Sequence, residues 1–442
     1  MASVGTVVEE IVGELRAAVG RELQGLRRAV PGGGLAEIEE RLQALRSAWD
    51  KMVLGAVGRV LGNGYCGGSM PCRCGGRMRY VSDRSKSILT TLGRLELVRA
   101  YYRCPQCGAS RFPLDEQLGT VGEGQSMGVQ AMTALVCSLL PNGQALALLK
   151  ELRIPCVSLS ESQRITRAVG ARAVAWRAAE VRRWAQDHVP PADHVQRTVP
   201  PCLAVSMDGT TVHVDGDFHE VKIGAFFRFN GKGEAVGQKG YVATFAGIEA
   251  FRDLWDTEAQ RGCMAEVATL VALCDGGVWT WNTVAERCPA HVVEVLDFYH
   301  ASEHLWTLAR SLWGEGSARA GAWVAEQKQR LLEGREDDFF RELECWAQKG
   351  HDWSDEGEKQ LRYFTTNRHR IHYKQYRDCG YPIGSGVVEA ACKTVVCTRE
   401  KQPGMRWRKT TAEAIAHLRA VYQSGRWHSL RQRLIAHSRQ AA

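Results

Sequence analysis

The chain has 442 residues, enough for about three folding units. Hydrophobic residues make up 45% and charged residues 24%, which excludes a disordered chain, and no stretch approaches the ~18 apolar residues of a membrane span. The net charge of +8 is unevenly spread: residues 390–442 alone hold 11 basic and 2 acidic side chains, a net of +9, and a tail so charged usually serves a polyanion.

The chain opens MASVGTVVEE, with two acids where a signal peptide needs a basic region and an apolar run, so a cytoplasmic protein is expected. Residues 1–61 are expected to form two helices around the break Pro31-Gly32-Gly33-Gly34. In the second, Leu35, Ile38, Leu42, Leu45, Trp49, Met52 and Ala56 repeat at alternating spacings of three and four. That heptad stripe fits either a hairpin closing on its own chain or the seam of a homo-oligomer.

Residues 62–120 turn Gly- and Cys-rich. Cys72-Arg73-Cys74-Gly75-Gly76 and Cys104-Pro105-Gln106-Cys107-Gly108 bracket strand-like sequence containing Leu95, Leu97, Tyr101 and Tyr102. Two Cys knuckles around a β-hairpin predict a zinc ribbon with structural Zn²⁺ on Cys72, Cys74, Cys104 and Cys107, because tetrahedral zinc needs four soft ligands converging on one point. The first knuckle is one residue shorter than C-x-x-C, and Cys66 is an alternative ligand. Fifteen cysteines in such a chain indicate thiols and metal ligands, not disulfides.

Residues 121–189 are predicted to be helical. Breaks fall at Pro141-Asn142-Gly143 and Ile154-Pro155-Cys156, and Ser158-Leu159-Ser160-Glu161 opens a further helix with Gln163, Arg164 and Arg167 exposed. This fits a helix-turn-helix DNA-binding segment or plain helical packing.

After a proline-rich linker, Val189-Pro190-Pro191 to Val199-Pro200-Pro201, residues 200–298 carry five strand signals. Leu203 to Met207 ends in Asp208-Gly209. Val221, Ile223, Ala225, Phe227 and Phe229 alternate strictly. Tyr241 to Phe245 follows, then a helix at Phe251, Leu254 and Trp255. Val267 to Cys274 ends in Asp275-Gly276-Gly277, a helix spans Trp279 to Arg287, and Val292 to Leu296 ends in Asp297. The order β-β-β-α-β-α-β predicts an α/β protein with an RNase H-like mixed-sheet catalytic domain.

Residues 299–379 then read as an α-helical insertion. Among its aromatics, Trp306 and Trp313 are seven apart, the spacing of a core pair, while Trp323 lies off that pair and is the best placed to stack on an unpaired base. The insertion closes on Asn367-Arg368-His369-Arg370-Ile371-His372-Tyr373-Lys374. Residues 380–402 hold the loop Tyr381-Pro382-Ile383-Gly384-Ser385-Gly386 and a last catalytic-core helix with Glu389 in its first turn; residues 403–442 form a basic helical tail.

Asp208 after the first strand, Asp275 after the fourth and Glu389 on the late helix occupy the positions where this fold converges three carboxylates on two Mg²⁺ ions. Each acid alone has an ordinary explanation, since Asp-Gly is a common turn pair and a first-turn Glu favours the helix dipole. Asp297 is the rival for the second carboxylate. Asp275 is favoured because the fourth strand neighbours the first. Asp297, His300 and His304 then supply an accessory cluster; read instead as a zinc hydrolase site, they lack a further ligand at a convincing spacing. Segments 367–377 and 393–433 are expected to contact DNA phosphates through Arg368, Arg370, Lys374, Lys393, Lys401, Arg406, Arg408 and Lys409.

The two Cys knuckles, Asp297-Phe298-Tyr299-His300-Ala301-Ser302-Glu303-His304-Leu305, and Tyr381 through Ala390 resemble the ISKra group of bacterial insertion-sequence transposases. The resemblance extends through Lys393, Lys401 and Gly404-Met405-Arg406-Trp407 and covers roughly residues 60–425. It implies a DDE transposase that binds element ends and target DNA, with Asp208, Asp275 and Glu389 on Mg²⁺ (Mn²⁺ substituting), acting as a homo-oligomer at a bacterial nucleoid. The alternatives are an RNase H-like nuclease that never joins strands and a domesticated, non-catalytic DNA-binding protein.

Overall fold

The computed structural model describes residues 4–191, 199–348 and 354–440, with side chains at these positions except 26–33, 347 and 438–440. Most of the linker between Pro191 and Val199 lies outside the described residues. The chain divides into two units, 1–169 with 430–442, and 170–429.

In the first unit, α1 (Val4–Leu61) is two helices joined at Gly34, whose φ of 62° and ψ of −162° no helix holds. The halves run antiparallel: Arg59 donates to Glu10 at 3.0 Å, and Arg41 lies 3.9 Å from Glu22. A four-stranded antiparallel sheet follows, in the order β1 (Ser69–Pro71), β2 (Arg77–Thr90), β3 (Gly93–Arg103), β4 (Ser110–Arg111). One end of the β2–β3 ribbon buries Ile88, Leu95 and Leu97 against Leu54 of α1 and Leu114 of α2 (Pro113–Leu118). The other end buries Met78, Ala100 and Tyr102 beside Cys104. Two helices continue the chain, α3 (Met127–Leu139) and α4 (Asn142–Glu151), and α5 (Leu159–Asp187) starts here and runs on past residue 169, where the second unit begins. Ser126 caps α3 by accepting from Val129 N, and Ser158 Oγ accepts from Glu161 N at the start of α5.

The second unit is mixed α/β. Its elements are β5 (Cys202–Val214), β6 (Asp217–Phe229), β7 (Ala235–Thr244), α6 (Ile248–Arg261), β8 (Thr269–Cys274), α7 (Val278–Arg287) and β9 (Val293–Leu296). The sheet order is β7-β6-β5-β8-β9, with β5, β6 and β7 antiparallel and β5, β8 and β9 parallel. β5 runs seven positions past its last pairing with β8, because beyond Met207 it keeps pairing with β6. Asp215 (φ 51°) and Gly216 (φ 94°) close that ribbon as a two-residue turn with both φ positive.

Helices then dominate: α8 (Phe298–Trp313), α9 (Ala318–Leu332), α10 (Glu336–Gln348), α11 (Asp355–Thr366), a 3₁₀ turn at Arg368–Arg370 and α12 (Tyr373–Asp378). α13 (Gly386–Ala391) passes into a π-helix (Cys392–Cys397) and α14 (Thr398–Glu400), followed by α15 (Lys409–Gln423) and α16 (Trp427–Gln440). The strand period of two decides which helices meet which face. Leu203, Val205 and Met207 enter a core with Phe251 and Trp255 of α6, and that core continues through Leu305, Trp323, Phe339 and Phe364. Val212 and Val214, with Val221, Ile223 and Ala225 of β6, meet Val388, Ala391, Val395 and Ala416. The late helices thus cover the face on which Asp208 stands.

No helix among the described residues is long and apolar enough to cross a membrane.

Candidate active site and metal centre

The parallel ladder sets three aspartates side by side. Met207 pairs with Cys274, and Cys274 with Leu296, so Asp208, Asp275 and Asp297 each stand one residue past the last parallel pair. Their surroundings separate them. Asp297 is fully buried and both its oxygens are engaged: Oδ1 accepts from His300 N, capping α8, and Oδ2 accepts from Ser385 N. It staples the Tyr381–Gly386 loop to α8. Asp275 Oδ1 accepts only from the nearby Gly277 N at 3.0 Å and is partly open.

Glu389 comes from α13, which packs on β5 and β6. Ser385 Oγ donates to Glu389 Oε1 at 2.8 Å, and one turn along, Cys392 Sγ donates to Asp208 Oδ2 at 3.2 Å. Burial raises the Asp208 carboxyl above the usual range, with the nearby charges of Asp275 and Glu389 adding to it against the hydrogen bonds from Cys392 and Gly209. Among the described residues no Arg, Lys or His pairs with Asp208, Asp275 or Glu389. Nor do the three carboxylates close to within 4.8 Å of one another, as the four cysteines do.

The backing of Asp275 comes from the helical insertion. Gly276 (φ 103°) leaves room for Tyr363, whose ring lies 2.6 Å from where a Cβ would stand. Tyr363 Oη donates to the Asp275 carbonyl at 2.9 Å, and the His304 ring stacks on Tyr363 with centroids 3.6 Å apart. His304 is held by Gln360 and touches His300 at 4.9 Å, while burial lowers its pKa. The accessory pair therefore reaches Asp275 through Tyr363, a residue no sequence motif marks.

The π-helix that carries Cys392 is braced from α15. Buried Arg419 donates to the Val395 carbonyl at 2.7 Å, to the Thr394 carbonyl and to Thr398 Oγ1 at 2.6 Å. Beside it, Glu400 is 2% exposed and neither carboxylate oxygen has a hydrogen-bond partner. Burial raises its pKa well above 4.5, against the pull of Arg419 and Arg399, so folding favours its neutral form. The unfolded chain ionises this group first, so its contribution is full below pH ~4.5 and is lost as pH rises above that. Glu400→Gln should gain ~1–3 kcal/mol at pH 8 and little at pH 4, read from urea unfolding at both pH values. An equal effect at both would contradict a neutral Glu400.

The basic segments divide by partner. Arg368 pairs with Asp337 and Glu344, Lys374 with Asp378, and Arg370 with Glu294 while covering Trp281 at 3.9 Å. Lys401 Nζ donates to Thr210 Oγ1 at 2.6 Å, two residues along β5 from Asp208 and on the same face. Lys393, Arg406, Arg408 and Lys409 are exposed. The positive tail is partly internal, however: Arg399 and Arg419 are buried, and Arg426 is bidentate to the buried Glu258 at 2.6 and 2.8 Å. Trp323, the best candidate for base stacking against the alternative of a core residue, is 7% exposed and donates to Glu342 at 2.8 Å, packed on Trp313 and Trp346. It is core.

The cysteine cluster is the best-formed metal geometry among the described residues. The ligand atoms of Cys72, Cys74, Cys104 and Cys107 lie within 4.8 Å of one another. Cys72 and Cys107 sulfurs are 3.6 Å apart, and Cys74 and Cys104 sulfurs 3.7 Å. Tetrahedral zinc with Zn–S bonds of about 2.3 Å separates its sulfurs by about 3.8 Å. Both knuckles close through hydrogen bonds, Cys72 N to Gly76 O and Cys104 N to Ala109 O, with Gly75 (φ 88°) and Gly108 (φ 72°) making the turns. The Cys107 and Gln106 N–H groups face Cys104 Sγ and, against burial, bring its thiol down to about 7. Cys66 stands apart, donating to the Gly64 carbonyl. The short first knuckle therefore completes the set without it.

Searched against protein-family models and curated proteins, the chain matches none.

Proposed function

We propose that this chain is a DDE transposase that binds the ends of an insertion sequence, cleaves the DNA and joins strands. The observation that carries the reading is the unpaired carboxylate set in a basic protein: Asp208 and Asp275 side by side past a parallel ladder, with Glu389 on a helix packed across the same strands. The order β7-β6-β5-β8-β9, three antiparallel strands then two parallel ones joined through helices, supports an RNase H-like catalytic domain.

The donor set fits two Mg²⁺ ions, with Mn²⁺ substituting: hard carboxylate oxygens, none neutralised by a cation among the described residues. Bound there, Mg²⁺ supplies activation of a water or 3′-hydroxyl and stabilisation of the leaving oxygen. The chain's own residues hold the acids in place. Cys392 orients Asp208, Ser385 orients Glu389, and Tyr363 fixes the Asp275 backbone. Lys401 sets a cation on the Asp208 face, suited to a phosphate there. Structural Zn²⁺ on the four cysteines completes the cofactors. Exposed Val4, Val8, Val12, Leu35 and Leu42 on α1 support a homo-oligomer. The setting that follows is a bacterial cytoplasm, at the nucleoid.

The test is incubation with Mg²⁺ and DNA carrying this gene's flanking sequence, in which the reading expects inverted repeats. Nicks at the repeat boundary together with joined products are expected. Cuts without joining favour the nuclease, binding without cuts favours the non-catalytic protein, and neither binding nor cuts defeats the reading.

A further inference from the structure

We infer that one face of the zinc-ribbon hairpin is a second DNA-binding surface, built from Arg79, Arg84 and Arg103 around Tyr101, that holds the backbone of duplex DNA. The inference takes its polyanion from the reading of the chain as acting on DNA; the surface itself rests on the register and charges of β2 and β3.

The register puts like charges directly opposite one another. Arg79 faces Arg103, and Arg84 faces Arg99. Directly opposed like charges destabilise a sheet, so a protein selected for stability alone would avoid two such pairs on one ribbon. Arg99 is buried and answered by Asp115 at 2.6 Å, which also takes Lys86 at 3.1 Å. Arg79, Arg84 and Arg103 are exposed and have no carboxylate within 4 Å among the described residues. Five of the nine arginines of the helical insertion differ: Arg330, Arg335, Arg341, Arg368 and Arg370 are ion-paired. The hairpin keeps its charge free.

Its geometry is also set in advance. The Arg84 guanidinium lies 3.8 Å above the Tyr101 ring, which rests on Phe112 at 5.1 Å, and Arg99 backs Phe112 at 4.1 Å. Stacking holds Arg84 flat and extended, which lowers the entropy lost on binding. Across the bulge, four ladder steps separate the Arg79–Arg103 pair from the Arg84–Arg99 pair, about 13 Å of strand. One DNA strand presents about four phosphates over that length. Zinc held by Cys72, Cys74, Cys104 and Cys107 would form a tetrathiolate of net negative charge, and Arg103 adjoins Cys104, so part of the charge at that end would be answered. Arg84, at the far end, is beyond its reach at ordinary salt.

The test uses the zinc-loaded full-length chain, a labelled random-sequence duplex and anisotropy titrations between about 50 and 200 mM salt. Each phosphate contact contributes about 0.9 to the slope of log affinity on log salt, so Arg84→Ser should lower the slope by about 1 and the triple variant with Arg79→Ser and Arg103→Ser by about 2–3. The triple variant should melt no lower than wild type, because two like-charge pairs are removed. A slope unchanged in Arg84→Ser and in the triple variant overturns the surface, as does a triple variant whose only change is lost zinc. If the slopes fall but wild type never cuts DNA, the surface stands and the transposase reading fails. If wild type cuts and joins while the slopes stay fixed, the reverse holds.

Discussion

Asp275→Asn is expected to lower DNA cleavage by ~10³-fold or more and leave the melting temperature within a few degrees of wild type. The loss corresponds to several kcal/mol of charge stabilisation at a metal-assisted phosphoryl transfer. Stability is spared because the Asp275 side chain serves only the adjacent Gly277 N–H. Asp297→Asn should behave in the opposite sense. Its carboxylate takes backbone N–H groups on both oxygens in a fully buried site, and an amide nitrogen turned toward either would oppose donor to donor. A cost of ~2–4 kcal/mol is expected, with cleavage falling only as far as the Tyr381–Gly386 loop is displaced. Thermal melts and single-turnover cleavage of the two variants separate these roles. An Asp275→Asn enzyme that still cuts, beside a stable Asp297→Asn enzyme that does not, would exchange them.

Removing zinc is the second large effect. Apparent binding free energies of structural zinc in small domains reach about 10–16 kcal/mol near neutral pH, and there the binding energy is folding energy. The knuckle end of the β1–β4 sheet has little else: its own core is Met78, Ala100, Tyr102 and Cys104. The far end keeps Ile88, Leu95 and Leu97 against Leu54 and Leu114. Chelation or Cys104→Ser should therefore release one zinc per chain and expose the amides of 69–80 and 100–111 to hydrogen exchange, while those of 86–97 stay protected. Full protection of 69–80 in metal-free protein would show that the cysteines are simply packed thiols.

These expectations show where local pattern suffices. Strict alternation from Val221 to Phe229 marks the later half of β6, and the apolar runs before Asp275 and Asp297 mark β8 and β9 to within about two residues. The site acids follow, because a strand end is a local feature. The extension of β5 to Val214 was also legible in Asp215-Gly216, a hairpin signal flanked by Val212, Val214 and Val221. What local pattern does not reveal is pairing at a distance. Tyr363 reaches Asp275 across 88 positions and Cys392 reaches Asp208 across 184. Arg368 and Arg370 look like a free basic run until folding brings up Asp337, Glu344 and Glu294. Trp323 looks like a spare indole until Trp313, Trp346 and Glu342 surround it. The π-helix at 392–397 has no sequence mark; its brace, Arg419, comes from the next long helix.

The measurement that bears most directly on the carboxylate site is Mn²⁺ binding by electron paramagnetic resonance, with wild type and the Asp208→Asn, Asp275→Asn and Glu389→Gln variants each bound to an element-end duplex. About two Mn²⁺ per wild-type chain are expected, with binding lost or weakened in every variant and little changed in Asp297→Asn. Mn²⁺ binding that survives all three substitutions, in a protein that cuts DNA, would contradict this expectation.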